Sequence, residues 1–119
     1  MSGSLPRMDN VVIPRDKLIY SLEIDINKRR LWRSMLDLGI ENIDYVEQQI
    51  RDKVKKYKSV YRDTNPYGDR YFTVVLMASH QGIHRRVLTA WIDDFTKHET
   101  RLTTVFPLED SDKREAIAL

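Results

Sequence analysis

Four residues on two short stretches hold most of the chemistry open to this chain. "RVLTAWIDD" (86–94) carries Thr89 and Trp91, and "TRLTTVFP" (100–107) carries Arg101 and Thr103. Both stretches read as strands, where Val or Ile would pack more readily. An arginine fork gives a phosphate two parallel hydrogen bonds. Threonine hydroxyls donate to phosphate oxygens or orient a nucleophile, and an indole face stacks a base. The preceding stretch, "RYFTVVLMA" (70–78), adds Arg70, Tyr71 and Thr73. Together these residue types suit an anionic, base-bearing ligand.

Other chemistries are poorly supplied. The chain has no cysteine, which excludes disulfides, thiolate catalysis and Cys-based metal sites. Asp93-Asp94 is an acidic pair without a third ligand in reach, and His80 and His84 flank a glycine turn rather than a helix turn, so no metal or other cofactor is expected. There is no glycine-rich phosphate loop, nucleophile elbow or dinucleotide fingerprint. Three histidines, His80, His84 and His98, fall at strand ends or in hairpin loops. His84 opens the "HRRVLTAW" strand and is the first choice for a proton shuttle near neutral pH, although a loop histidine is more commonly a solvated residue.

Charge points the same way, weakly. The net charge is only +2, but residues 28–91 hold 13 Lys/Arg against 7 Asp/Glu, and residues 92–119 hold 4 against 7. A basic middle and an acidic end are compatible with nucleic acid, and equally with a solvated helix face and an acidic tail. Lys53, Lys55, Lys56 and Lys58 sit where cations suit a helix dipole.

The elements that must position these residues follow from length and pattern. With 119 residues, 41% hydrophobic and 32% charged, the chain suits one domain with one core. No apolar run approaches a membrane span, and the first residues lack the apolar region of a secretory signal. Residues 1–10 read as a leader or linker, residues 11–107 as one α+β domain and residues 108–119 as an acidic turn or frayed tail. Val11 to Ile13 is extended, and Lys17 to Leu22 forms one or two helical turns behind Pro14. A helix over "DINKRRLWRSMLDLGI" is capped by Asp25 or Asn27, sets Leu31, Met35 and Leu38 on one face and stops at Gly39. The clearest helix places Ile43, Val46, Ile50, Val54 and Tyr57 in one stripe behind Asn42. "DTNPYGD" (63–69) is a loop. Three strands then follow, at 70–78, 84–93 and 100–106, joined by hairpin-length turns.

Alternation assigns two faces to those strands. Phe72, Val74, Leu76, Leu88, Ala90, Ile92, Leu102, Thr104 and Phe106 form a nearly apolar face, expected against the helices. Tyr71, Thr73, Val75, Val87, Thr89, Trp91, Arg101, Thr103 and Val105 form a mixed face, expected to be open. It is either a plain solvent side or a ligand surface, and a large exposed aromatic favours the second.

"LPRMDNVVIPRDKL", "NKRRLWRSMLDLGI", "YGDRY", "RVLTAWI" and "RLTT" occur in this order from about Leu5 to Pro107. In this the chain resembles a bacterial domain of unknown function found at the C-termini of polymorphic and contact-dependent toxins and as small stand-alone proteins. The order of helices before sheet is also similar to the barnase–EndoU–colicin–RelE superfamily of ribonuclease toxins, a likeness at fold level. In the domain family a lysine leads a "KAxxF" helix that reaches "LG" about nine residues later. Here Lys28 leads "KRRLW" and Gly39 lies eleven residues on, so Arg29 and Arg30 stand as alternatives to Lys28.

The resemblance implies two or three N-terminal helices packed on a three- to four-stranded antiparallel sheet. It implies a toxin effector acting as a metal-independent ribonuclease on RNA such as tRNA, through 2′-hydroxyl attack and a 2′,3′-cyclic phosphate. His84, Arg101, Thr103, Thr89 and Lys28 would carry catalysis. Arg70, Tyr71, Trp91 and Thr73 would bind substrate. The expected partners are RNA and a cognate immunity protein, with no membrane and a monomeric state. Delivery would be as the C-terminal part of a larger toxin, acting in the target-cell cytoplasm. The alternative is a non-catalytic module that binds nucleic acid or protein.

Overall fold

The computed structural model describes residues 3–119. The first two residues of the leader expected over 1–10 lie outside the described residues. The remainder of that leader is part of the fold, since Leu5 is buried and Gly3 bridges to Ser59.

Val11 to Ile13 is extended, as its residues suggest. Val12 lies parallel to the last strand, accepting from the Leu102 N–H at 2.9 Å and donating to the Thr100 carbonyl at 2.8 Å. Helix α1 (Arg15–Ile19) follows Pro14 and widens into a π-turn over Tyr20–Ile24, which Asp25 closes by donating to the Tyr20 carbonyl. Asp25 then caps helix α2 (Ile26–Leu36), accepting from the Lys28 N–H at 3.0 Å. That hydrogen bond is the main reason its carboxyl sits below the usual range.

Helix α2 departs from expectation in two places. Its buried residues are Trp32 and Leu36, one turn apart, while Leu31 and Met35 are half-exposed. Asp37, not Gly39, takes the left-handed residue at its end, with φ 52°. Helix α3 (Ile43–Lys53) buries Val46 and Ile50, and Val54 follows in the same stripe.

The sheet has four strands in the order β1-β2-β3-β4, all antiparallel: β1 (Ser59–Asn65), β2 (Gly68–Ala78), β3 (His84–Asp94) and β4 (Glu99–Pro107). The N-terminal helices pack on it, an α+β architecture. Much of "DTNPYGD" is strand and turn rather than loop. Asn65 accepts from the N–H groups of Tyr67 and Gly68 and closes the β1–β2 hairpin. Gly68 then passes so near β3 that a Cβ there would lie 2.0 Å from the Asp93 carbonyl oxygen.

The two sheet faces are the reverse of the hydropathy expectation. The helices cover the mixed face: Val75, Met77, Val87 and Trp91 join Trp32, Val46 and Ile50 in one core. Each such aliphatic side chain contributes roughly 1.5–3 kcal/mol when fully buried. The opposite face carries Val74 and Leu88 with Phe72, Ala90 and Phe106 around them. It is roofed in part by the C-terminal segment. Leu108 and Ala116 pack against that cluster, and the Lys58 N–H donates to the Ile117 carbonyl at 2.7 Å. Residues 108–119 are therefore a strap from β4 back to the chain just before β1, not a frayed tail.

Candidate functional site

Two β-bulges build the site. In β1, Tyr61 pairs with Tyr71 and Asp63 with Arg70, leaving Arg62 as the extra residue. In β4, Thr104 pairs with Ala90 and Leu102 with Trp91, leaving Thr103 as the extra residue. A bulge re-aims the side chain it inserts. Here both aim into one recess of about 390 Å³ on the face away from the helices. Phe72, Ala90 and Phe106 line it as well, and Ala90 keeps its floor low between the two rings. The β4 bulge also shifts alternation by one. Leu102 and Val105 both enter the helix-side core, and Thr104 and Phe106 turn to the open side.

The recess runs on at β4 into a second one of about 490 Å³, with Thr103 and Thr104 shared between them. Here α2 supplies Lys28. Its ammonium donates to the Thr104 hydroxyl at 3.1 Å and sits 5.5 Å from the Tyr20 ring centroid and 5.3 Å from that of Phe106. Rings hold a cation by their quadrupole while leaving its remaining protons free. Asp16 is the carboxylate lining this second recess.

Two cations of the groove, Arg70 and Arg114, are tied to carboxylates. Arg70 forks onto Asp63, with Nε and Nη2 each 2.6 Å from a carboxylate oxygen. This holds the Asp63 carboxyl below its usual range. Arg114, on the strap, forks onto Asp112, holding that carboxyl down at about 2, and lies 5.7 Å over the Phe72 ring. Arg62 and Lys28 make no ion pair among the described residues.

The residues expected from sequence are therefore split. Lys28 and Thr103 lie in the groove, Arg70 lines it while held by Asp63, and Tyr71 and Trp91 border it as well. Thr73 and Thr89 are 0% exposed and Trp91 1%, so the expectation that they share an open face is corrected. Their polar groups are consumed inside the core. The Trp91 indole N–H donates to the Thr89 hydroxyl at 2.8 Å, which donates to the Thr73 carbonyl at 2.8 Å, and the Thr73 hydroxyl pairs with that of Ser59. A hydroxyl with partners is cheap to bury, which hydropathy alternation does not register. Tyr71 packs against the same core edge-on to Tyr61, and burial pushes its phenol up from the ordinary value.

Arg101 is bound to Asp94 at 2.6 Å. Asp94 also accepts from the Thr96 hydroxyl and from the N–H groups of Thr96 and Lys97, so its carboxyl is held far below the usual range. This pair pins the β3–β4 turn. His84 begins β3 at the opposite end, and Arg101 pairs with Ile92. At ~3.3 Å per residue that separates them by about 26 Å, so they cannot share one phosphate. His80 is equally occupied, tilted against the Tyr45 ring at 4.4 Å and near the Asn42 amide.

Sequence reading missed Arg62, Thr104, Phe72, Phe106 and Arg114 as site residues. The bulge that places Arg62 carries no periodic signal, and Thr104 shared the face expected against the helices. The two phenylalanines looked like core, and Arg114 belongs to the segment expected to fray.

Comparison with known proteins adds one positive finding. Residues 4–109 match the model of a family described as "Domain of unknown function (DUF6883)". No curated protein and no solved structure matches the chain. The last ten residues of the strap lie beyond the matched range.

Proposed function

The chain belongs to that family, and from this premise and the shape of its groove we propose that it is a toxin effector that binds single-stranded RNA across the open sheet face and cleaves it. The observation that carries the reading is the convergence of Arg62 and Thr103, one from each edge-strand bulge, on a floor of Phe72 and Phe106, with Lys28 and Thr104 at its end. Cations alternating with aromatic rings along a groove suit a backbone of phosphates with bases between them. The order of helices before sheet supports a place in the barnase–EndoU–colicin–RelE superfamily, by analogy of fold.

Under this reading the reacting phosphate lies at Lys28 and Thr104. Asp16, the carboxylate of that recess, takes the 2′-hydroxyl proton. The 2′-oxygen attacks phosphorus and the bond to the 5′-oxygen breaks, leaving a 2′,3′-cyclic phosphate. The Lys28 ammonium neutralises the phosphorane and returns a proton to the leaving 5′-oxygen. No metal enters the sequence of steps. Delivery on a larger toxin, action in a target cell's cytoplasm and neutralisation by a cognate immunity protein belong to the same proposal.

A second reading, a non-catalytic RNA-binding module, is favoured by one feature: no histidine lines either recess. One experiment separates the two. Expression in a bacterium should arrest growth, and the purified chain should cut RNA in the presence of EDTA, with a cyclic-phosphate product. Lys28→Ala together with Thr104→Ala should abolish both effects. Binding without cutting, with a salt slope that falls by about 1 when Lys28 is removed, selects the binding module. Absence of both binding and cutting overturns the proposal.

A further inference from the structure

Helix α2 has a second working side. Lys28 reaches the sheet, but Ile26, Arg29, Arg30 and Arg33 fall at offsets of 3, 4 and 7, a single stripe turned the other way. They line a separate recess of about 530 Å³ between α2 and the Leu38–Glu41 segment. Its apolar lining is aliphatic, from Leu22, Ile26, Leu38 and Ile40, and contains no aromatic ring. Ile26 is 61% exposed, and Ile24, which lines the Lys28 recess, is 60% exposed.

The charges are arranged to receive carboxylates. Three guanidinium groups face two lining acids, Glu23 and Glu41. Glu41 is engaged by Arg33 at 2.5 Å, which holds its carboxyl below the usual range. That bond crosses directly above Gly39, where a Cβ would lie 2.1 Å from Arg33 Nη2, so a larger residue there would make the Arg33 and Glu41 side chains shift. Arg29 donates one Nη1 hydrogen bond to the Glu23 carbonyl, and Arg30 is exposed without an ion pair among the described residues. Forks in this state match carboxylates bidentately.

We propose that this recess docks an acidic protein partner, whose carboxylates meet Arg29 and Arg30 while an aliphatic side chain settles on Ile26 and Leu38. The lining favours a protein over single-stranded RNA, whose bases stack on rings, because this recess offers only aliphatic surface between its arginines. The chain's own acidic segment is placed elsewhere: Glu109 and Asp110 line a different recess with Leu31 and Met35, and Leu108 and Ala116 are held on the far face of the sheet. A partner seated here would also cover Ile24 and so crowd the Lys28 end of the groove. Only that last consequence rests on the RNA reading above.

The test is a pair of amide-shift titrations on the full chain. One uses a short synthetic peptide repeating Glu-Glu-Leu, the other a short oligouridylate. The peptide should move the amides of Leu22, Ile26, Arg30 and Ile40 and leave Arg62 and Phe72 still. Arg29→Glu with Arg30→Glu should weaken it about tenfold or more, equivalent to ~1.4 kcal/mol, and Ile26→Ser should weaken it too. Arg30→Gln provides the same readout if the double reversal fails to fold. The docking proposal is overturned if the peptide does not bind, if these variants leave its affinity unchanged, or if oligouridylate moves the same α2 amides and competes. Oligouridylate that moves nothing at Arg62, Phe72 and Thr103 overturns the groove reading and leaves the peptide result standing.

Discussion

Replacing Thr89 by valine asks whether that residue belongs to a site or to the core. The change is nearly isosteric, so it opens no cavity. It deletes the hydroxyl that accepts from the Trp91 indole N–H at 2.8 Å and donates to the Thr73 carbonyl at 2.8 Å. Trp91 is 1% exposed, so water cannot replace the lost acceptor. A buried donor left without a partner costs roughly 1–3 kcal/mol, and the better strand propensity of valine returns a few tenths. The expected net loss is about 2 kcal/mol. That is about 1 M in the urea midpoint, and about 8 °C in the melting temperature for a domain of this size.

Thr89→Val with Trp91→Phe removes donor and acceptor together. The double variant should therefore lose less than the sum of the single losses, after allowance for the smaller ring. Urea unfolding followed by far-UV circular dichroism measures all three variants. RNA binding by folded Thr89→Val should match that of the parent, because residue 89 faces the helices. An unchanged midpoint together with lost RNA binding would refute the reasoning, returning Thr89 to the open face and to the site.

Three further outcomes follow from the same geometry. Gly68→Ala places a Cβ 2.0 Å from the Asp93 carbonyl oxygen, so β2 and β3 must separate locally. A loss of about 3 kcal/mol, seen as a lower melting temperature, is expected, and an unchanged value would mean the close approach is absent. Asp63, Asp94 and Asp112 have folded-state affinities for protons held below the unfolded value by Arg70, Arg101 and Arg114. Their contribution is complete above pH ~4, near the unfolded carboxyl value. It is lost as pH falls, for Asp112 through about 2, so the urea midpoint should drop across that window and drop less in Arg101→Met. Deleting residues 110–119 removes Ala116 and the two backbone bonds to Lys58 and Lys56. A cost of about 1–3 kcal/mol and new binding of a hydrophobic dye at Val74 and Leu88 should follow, with no dye binding if the strap does not roof them.

Local rules carried much of the fold. Pro14, Asp25, the α3 stripe and the Asn-Pro-Tyr-Gly turn act through neighbours within one turn of chain, and each appears close to where its residue type places it. Even the membership of the two sheet faces was nearly correct, with Leu102 the one apolar residue misplaced. Which face met the helices was not legible, because Thr73, Thr89 and Trp91 satisfy one another inside the core. Among the site residues, Lys28 and Thr103 stood out by type, and Arg101, Thr89 and His84 stood out equally but serve a turn, the core and a strand end.

Sequence alone determined the α+β architecture and the antiparallel order of β2 to β4, since these rest on local spacing and residue chemistry. The tertiary structure decided the site. A bulge adds one residue without breaking the visible alternation, yet it moves every later side chain across the sheet. Two such insertions, at Arg62 and Thr103, and one strap returning over Phe72, choose which residues share the groove. Those choices depend on strand partners far away in the chain, which no local pattern encodes.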